Sequence, residues 1–156
     1  MPLQTIHMQL ISSLKRLYWL ITGPAVFILV CLIAADYLAG QNPGAGILPL
    51  PEIWHAILFT GAAITAIAGP VMLRVIFAHQ VRQNTQVQKS LFLTFQRRLI
   101  IVSCITPYLA LAAVYGGLSQ FHAGGIILMA LYGIYYYFPS EKRIRHDLKL
   151  FRVALP

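Results

Sequence analysis

The sequence predicts an all-α membrane protein: a four-transmembrane-helix bundle, both termini in the cytoplasm, with short amphipathic helices at its ends. Three observations predict it. Of 156 residues, 58% are hydrophobic and 10% are charged, whereas about one residue in four is charged in a soluble domain. Mean hydropathy is +0.71. Four apolar runs are each long enough to cross a bilayer, and the basic residues cluster on one side of the resulting layout. This composition excludes a soluble enzyme and a disordered tail. Two cysteines, both inside apolar runs, exclude a disulfide-stapled secreted domain.

A hydrocarbon core of about 30 Å needs about 20 helical residues. The spans are predicted over 17–39, 53–79, 99–117 and 121–138, within one integral domain. Lipid leaves backbone groups no outside partner, so each span should be a helix. Runs such as Ala25-Val26-Phe27-Ile28-Leu29-Val30 do not alternate as barrel strands would.

The twelve basic residues set the orientation. Lys15 and Arg16 precede span one. Arg74, Arg82, Lys89, Arg97 and Arg98 flank the 80–98 connection. Lys142, Arg143, Arg145, Lys149 and Arg152 follow span four. None lies in the loops 40–52 or 118–120. The positive-inside rule then puts both termini and the 80–98 loop in the cytoplasm, in a bacterial-type inner membrane. Aromatic belts agree, with Tyr18, Trp19 and Tyr135 to Tyr137 at the inner surface and Tyr37, Trp54 and Tyr115 at the outer. Span one is too long for a signal-peptide core and has Tyr37 where a small residue would precede a cut after Ala39, so it is expected to be retained. No lipidation box appears at either end.

Outside the bilayer, residues 40–46 read as a short turn-rich loop. Spans three and four should form a tight hairpin. Ser90 marks a helix start, and spans two and three are expected to project past the lipid as helices. Ile6, Leu10 and Leu14 recur every four residues. After Pro139, Ser140 can cap a helix with Ile144, Leu148 and Phe151 on one face. Lys142, Arg145, Lys149 and Arg152 lie toward the other side and are the candidate contacts to anionic lipid or a partner subunit. Ordinary positive-inside flanking sequence would look the same.

Ionisable groups at membrane depth are costly, so each is a functional candidate. Asp36, Glu52, His55, Tyr115 and His122 fall at similar depth near the outer surface. His55 and His122, on different helices, could ligate haem b. With Asp36 or Glu52 they could hold a transition metal. They could also exchange protons with a quinone. Against all three stands their nearness to water, where such side chains cost little. Arg74, one turn inside span two, could contact an anion or simply extend to the inner surface. His79 follows it, and His7 and His146 read as surface residues. Cys31 and Cys104 fall about 13 Å apart in depth, too far for a disulfide.

Pro24, Pro70 and Pro107 should bend their helices, as broken helices do in transporters. Small residues at Gly61, Thr65 and Gly69, and at Ala112–Gly116 and Ala113–Gly117, allow close helix approach within the bundle or to another chain. No nucleophile elbow, phosphate loop, HExxH or CxxC is present. Topology already explains the +8 charge, so no nucleic-acid partner is expected.

The layout resembles several groups of small bacterial four-helix proteins, including immunity proteins to pore-forming bacteriocins, which also keep both termini inside. The segment from His55 to His79, with Gly69-Pro70 and its trailing Arg, is similar to span segments of copper-resistance-type membrane proteins. Neither resemblance brings a diagnostic motif, so no residue role follows from it. The expectation is a non-catalytic subunit or accessory factor of a larger membrane complex. The alternatives are a redox or metal-handling protein using His55 and His122, and a small transporter with proline-kinked helices.

Overall fold

The computed structural model describes residues 2–40, 50–82 and 86–153, with the side chains of residues 2–9 excepted. The expected turns of the first outer loop, and Ile6 and His7, therefore lie outside the described residues or side chains. The described chain is all helical apart from turns and one isolated bridge. Three helical stretches, Leu10–Leu38, Glu52–Val81 and Lys89–Tyr115, are long and apolar enough to cross a membrane. A fourth candidate, Gln120–Tyr137, qualifies when counted together with the following helix, from which it is bent by 70°. A protein with these helices fits a membrane.

Helix α1 runs from Pro2 to Leu38 without a break. At about 1.5 Å per residue it is roughly 55 Å long, well beyond the hydrocarbon thickness. The expected short N-terminal amphipathic helix is therefore the first part of α1 and not a separate element. No Gly or Pro stands between Leu3 and Ile21 to interrupt it, and Lys15 and Arg16 are good helix formers. Pro24 lies within the continuous helix. Nearby, the Tyr108 hydroxyl donates to the Ile21 carbonyl at 2.7 Å.

Helices α2 (Glu52–Ala63) and α3 (Gly69–Val81) are joined by a π-turn over Ile64–Ala68. Its physical cause is Pro70, which has no N–H for the Ala66 carbonyl and whose ring crowds that carbonyl. The Thr65 hydroxyl donates to the Gly61 carbonyl at 2.9 Å. With that hydrogen spent, the Thr106 hydroxyl, 3.0 Å away, donates to Thr65. Helices α4 (Lys89–Ser103) and α5 (Ile105–Tyr115) are separated at Cys104. Pro107 leaves the Ser103 carbonyl without its helical donor. Thr22 of α1 meets Cys104 there, oxygen to sulfur, at 3.0 Å. Two of the three prolines thus coincide with helix irregularities, and neighbouring hydroxyls bridge all three regions.

Gly117, at φ +60°, ends α5. The Leu118 N–H bonds the Ala113 carbonyl at 3.1 Å and the Gly117 N–H bonds Val114 at 3.3 Å. This paired closure needs a left-handed residue, and glycine adopts it without steric cost. The resulting short turn delivers α6 (Gln120–Tyr137) antiparallel to α5, as the expected tight hairpin. Ser140 accepts from the Arg143 N–H at 3.4 Å and caps α7 (Glu141–Leu150), again as expected.

The α4–α5 rod is the central element and packs against α1, α2, α3 and α6. Two cores result. At the histidine end the buried cluster is rich in small residues: Ala62, Ala110, Ala113, Ala123 and Ala130, with Leu58, Leu118 and Ile126. Small side chains let backbones approach and gain dispersion contact. At the basic end the cluster is bulkier and aromatic. Phe77 and Phe95 stack at 4.1 Å, and Phe151 meets both edge-on. Leu10, Ile11 and Leu14 of α1 and Ile144 and Leu148 of α7 join this same core. The apolar faces of the terminal helices are thus covered by the protein itself. Outward, α1 and α2–α3 carry exposed Phe27, Leu38, Ile57, Val71 and Met72.

The small-residue stripe of α2–α3 is used internally. Gly61 faces Leu109, Thr65 bonds Thr106, and a Cβ on Gly69 would lie 3.0 Å from Val102 and 3.1 Å from the Ile64 carbonyl oxygen. Gly69→Leu should therefore force α3 away from α4. A loss of about 1–3 kcal/mol is expected, measurable as a lower unfolding midpoint in detergent. An unchanged midpoint would show that this contact is not close.

Candidate functional site

Two sites emerge, one at each end of the bundle. At the histidine end, α2 carries His55 in its first turn and α6 carries His122 in its own. Both helices begin at this end of the bundle and run in the same direction, so both imidazoles reach the same level. Their ring centroids are 5.5 Å apart with planes tilted by 57°. Both are half-buried. Ser119 Oγ lies 2.7 Å from His122 Nδ1, which fixes the ring and leaves Nε2 for other partners. Below the pair, Phe59 meets His122 edge-on at 5.8 Å and stacks with Phe121 at 6.5 Å.

The juxtaposition of His55 and His122 is what the sequence anticipated. The wider set is another matter. Among the described residues no three His, Cys, Asp or Glu side chains gather closely enough to hold a metal ion. Asp36 is half-buried on α1 and Glu52 is exposed at the start of α2. Neither completes a metal shell with the imidazoles. Haem b is also a poor fit between the two rings. A macrocycle would need a flat slot between α2 and α6, and there Phe59 packs onto Gly125, where even a Cβ would lie 2.6 Å from the ring. Cys31 is exposed and Cys104 buried, and both are free thiols.

The basic end holds a group that sequence reasoning missed. Asp147 of α7 is buried, 4% exposed. Its Oδ2 accepts from Gln96 Nε2 of α4 at 2.9 Å. Arg74 of α3 approaches the same oxygen at 3.5 Å and is itself a third exposed. A buried carboxylate survives only when paired and hydrogen-bonded. This one joins three helices. Arg74 therefore does not simply reach for water, as its position alone suggested. One signal was available: Asp147 falls beside Leu148 and three residues after Ile144, on the apolar stripe of its helix. A carboxylate there asks for a partner.

The outward side of α7 follows the sequence reading. Lys142, Arg145 and Lys149 are exposed there, whereas Arg152, also exposed, turns past the helix end to the α3 side, away from the face on which the sequence placed it. Arg145 pairs with Glu141 one turn earlier, an exposed pair of little energetic weight. Arg143 lies 4.7 Å above the Tyr136 ring, a cation–π contact. The chain matches no protein-family model, and comparison with curated proteins and with solved structures finds no similar protein.

Proposed function

We propose that this chain is a four-helix bundle of a bacterial-type inner membrane, with both termini in the cytoplasm, serving as a non-catalytic accessory subunit of a larger membrane complex. The observation that carries the reading is the uneven burial of its spans. In their most apolar windows, α4–α5 is half buried inside the protein, whereas α1 and α2–α3 are only 22% and 17% buried. A helix packed on one side alone offers most of its length to lipid or to another membrane protein. The paired histidines, the hydroxyl bridges and the Arg74–Asp147 contact all hold the bundle together. The basic end carries the charge that the positive-inside rule assigns to the cytoplasm.

The test is photocrosslinking in the native membrane from probes at Phe27 and Val71, both exposed. The reading expects a single protein of defined mass, crosslinked in stoichiometric amount from at least one of these sites. Adducts with lipid alone, from both positions, would contradict it.

The His55–His122 approach favours a second reading, in which two imidazoles on neighbouring helices bind a soft or borderline metal ion such as copper. The purified chain would take up copper(I) at one equivalent, and His55→Ala and His122→Ala would each abolish that uptake. Uptake unaffected by either substitution would rule the site out.

A further inference from the structure

On the inner side of α7, facing α3, lies a cavity of about 500 Å³. Three guanidinium groups line it: Arg74 from α3, Arg82 just past its end, and Arg152 just past the end of α7. Among the described residues Asp147 is the one carboxylate in the lining, and it already accepts from Gln96 and Arg74. The remaining wall is apolar, with Val75, Ala78 and Leu150 among its residues. Positive charge over apolar surface is the pattern that an anionic lipid headgroup with its glycerol and upper acyl chain complements.

The position of Arg152 adds a separate observation. Its φ is +49°, the left-handed conformation that usually falls to glycine after a helix. The helix end has the paired closure of that motif, with Val153 N–H on the Leu148 carbonyl at 3.1 Å and Arg152 N–H on Lys149 at 3.3 Å. Arg152 is held further by its own carbonyl, which accepts from Val87 N–H at 3.3 Å. A cation thus stands where glycine would serve the backbone better, and the backbone fixes it beside the cavity.

We propose that this α3–α7 cavity binds the headgroup of an anionic phospholipid, with Arg82 and Arg152 contacting the phosphate and Arg74 at the inner wall. The inference rests on the membrane reading above, which places the basic end at headgroup depth, but not on the accessory-subunit role. It is also distinct from the outward face of α7, where Lys142 and Lys149 point away from the cavity.

The experiment is calorimetric titration of the full chain, purified in a neutral detergent, with short-chain phosphatidylglycerol, short-chain phosphatidylcholine and inorganic phosphate. Phosphatidylglycerol should bind at one equivalent and phosphatidylcholine much more weakly. Arg82→Gln and Arg152→Gly should each weaken phosphatidylglycerol binding about fivefold, the worth of one basic residue near an anionic surface. Arg152→Gly keeps the helix closure and removes the charge, so its fold should be at least as stable as the parent. A matched pair of changes on the outward face, Lys142→Gln with Lys149→Gln, should alter binding less than twofold. Equal binding of phosphatidylcholine would overturn the proposal. So would an outward-face pair that weakens binding as much as the two arginine changes, which would mean diffuse adsorption. Inorganic phosphate binding as tightly, with the same arginine dependence, would show a free-anion site in place of a lipid site. Because the titration uses single chains in detergent, failure of the partner reading leaves its outcome unaffected.

Discussion

Phe92→Ala should lower the stability of the bundle by about 3–5 kcal/mol, the range for truncating a fully buried aromatic side chain. Phe92 is wholly buried in the core at the basic end, where α1, α4 and α7 meet. Removing its ring leaves a void lined by large side chains that already have fixed partners, including Phe95 at 6.4 Å. Phe27→Ala provides the contrast. Phe27 is 70% exposed on α1, so in the purified chain its ring packs against no part of the protein's core. Its loss should change stability by less than about 0.5 kcal/mol. Thermal or denaturant unfolding of both variants in one detergent checks the pair. Equal losses would mean that the two positions are packed alike, against the burial that separates them.

Asp147→Ala should cost about 2–3 kcal/mol and loosen α7 from the bundle. The substitution leaves the Gln96 amide buried without its acceptor and Arg74 without its counter-charge. Breaking a fully buried pair costs more, but Arg74 is a third exposed, and water softens its loss. Asp147→Asn keeps an acceptor for Gln96 and should cost less than Ala. The readout is hydrogen exchange across Glu141–Leu150, where Asp147→Ala should raise exchange selectively compared with α6. Unchanged protection in α7 would show that Ile144 and Leu148 alone hold it.

The helical class and the element positions were legible because membrane helices obey strong constraints. Apolar runs of span length have few alternatives, and Ser140 carried its cap in the sequence, whereas Gly117, read as a packing residue, serves as a left-handed helix end. The pairing of His55 with His122 was also legible, since both open spans at the same end. The continuity of α1 was harder to read. Lys15 and Arg16 looked like a boundary, yet charged residues are good helix formers and end nothing by themselves. Asp147 was hidden by its setting among Lys142, Arg145 and Lys149, where one more charge looks like part of a solvated face. Its burial depends on how α7 folds back beside Arg74 and Gln96, a contact between residues 51 positions apart for Gln96. Spacing along one helix says that a partner is needed; only the tertiary arrangement says which.

The account depends most on the chain crossing the bilayer with its basic end in the cytoplasm. Reporter insertion at two positions of the full chain tests this directly: green fluorescent protein and alkaline phosphatase, each placed within 86–88 and after Leu118. Fluorescence without phosphatase activity at 86–88, and phosphatase activity without fluorescence after Leu118, is the expected result. Phosphatase activity at 86–88 would put the basic residues on the far side of the membrane and contradict the topology on which the lipid cavity and the proposed role both rest.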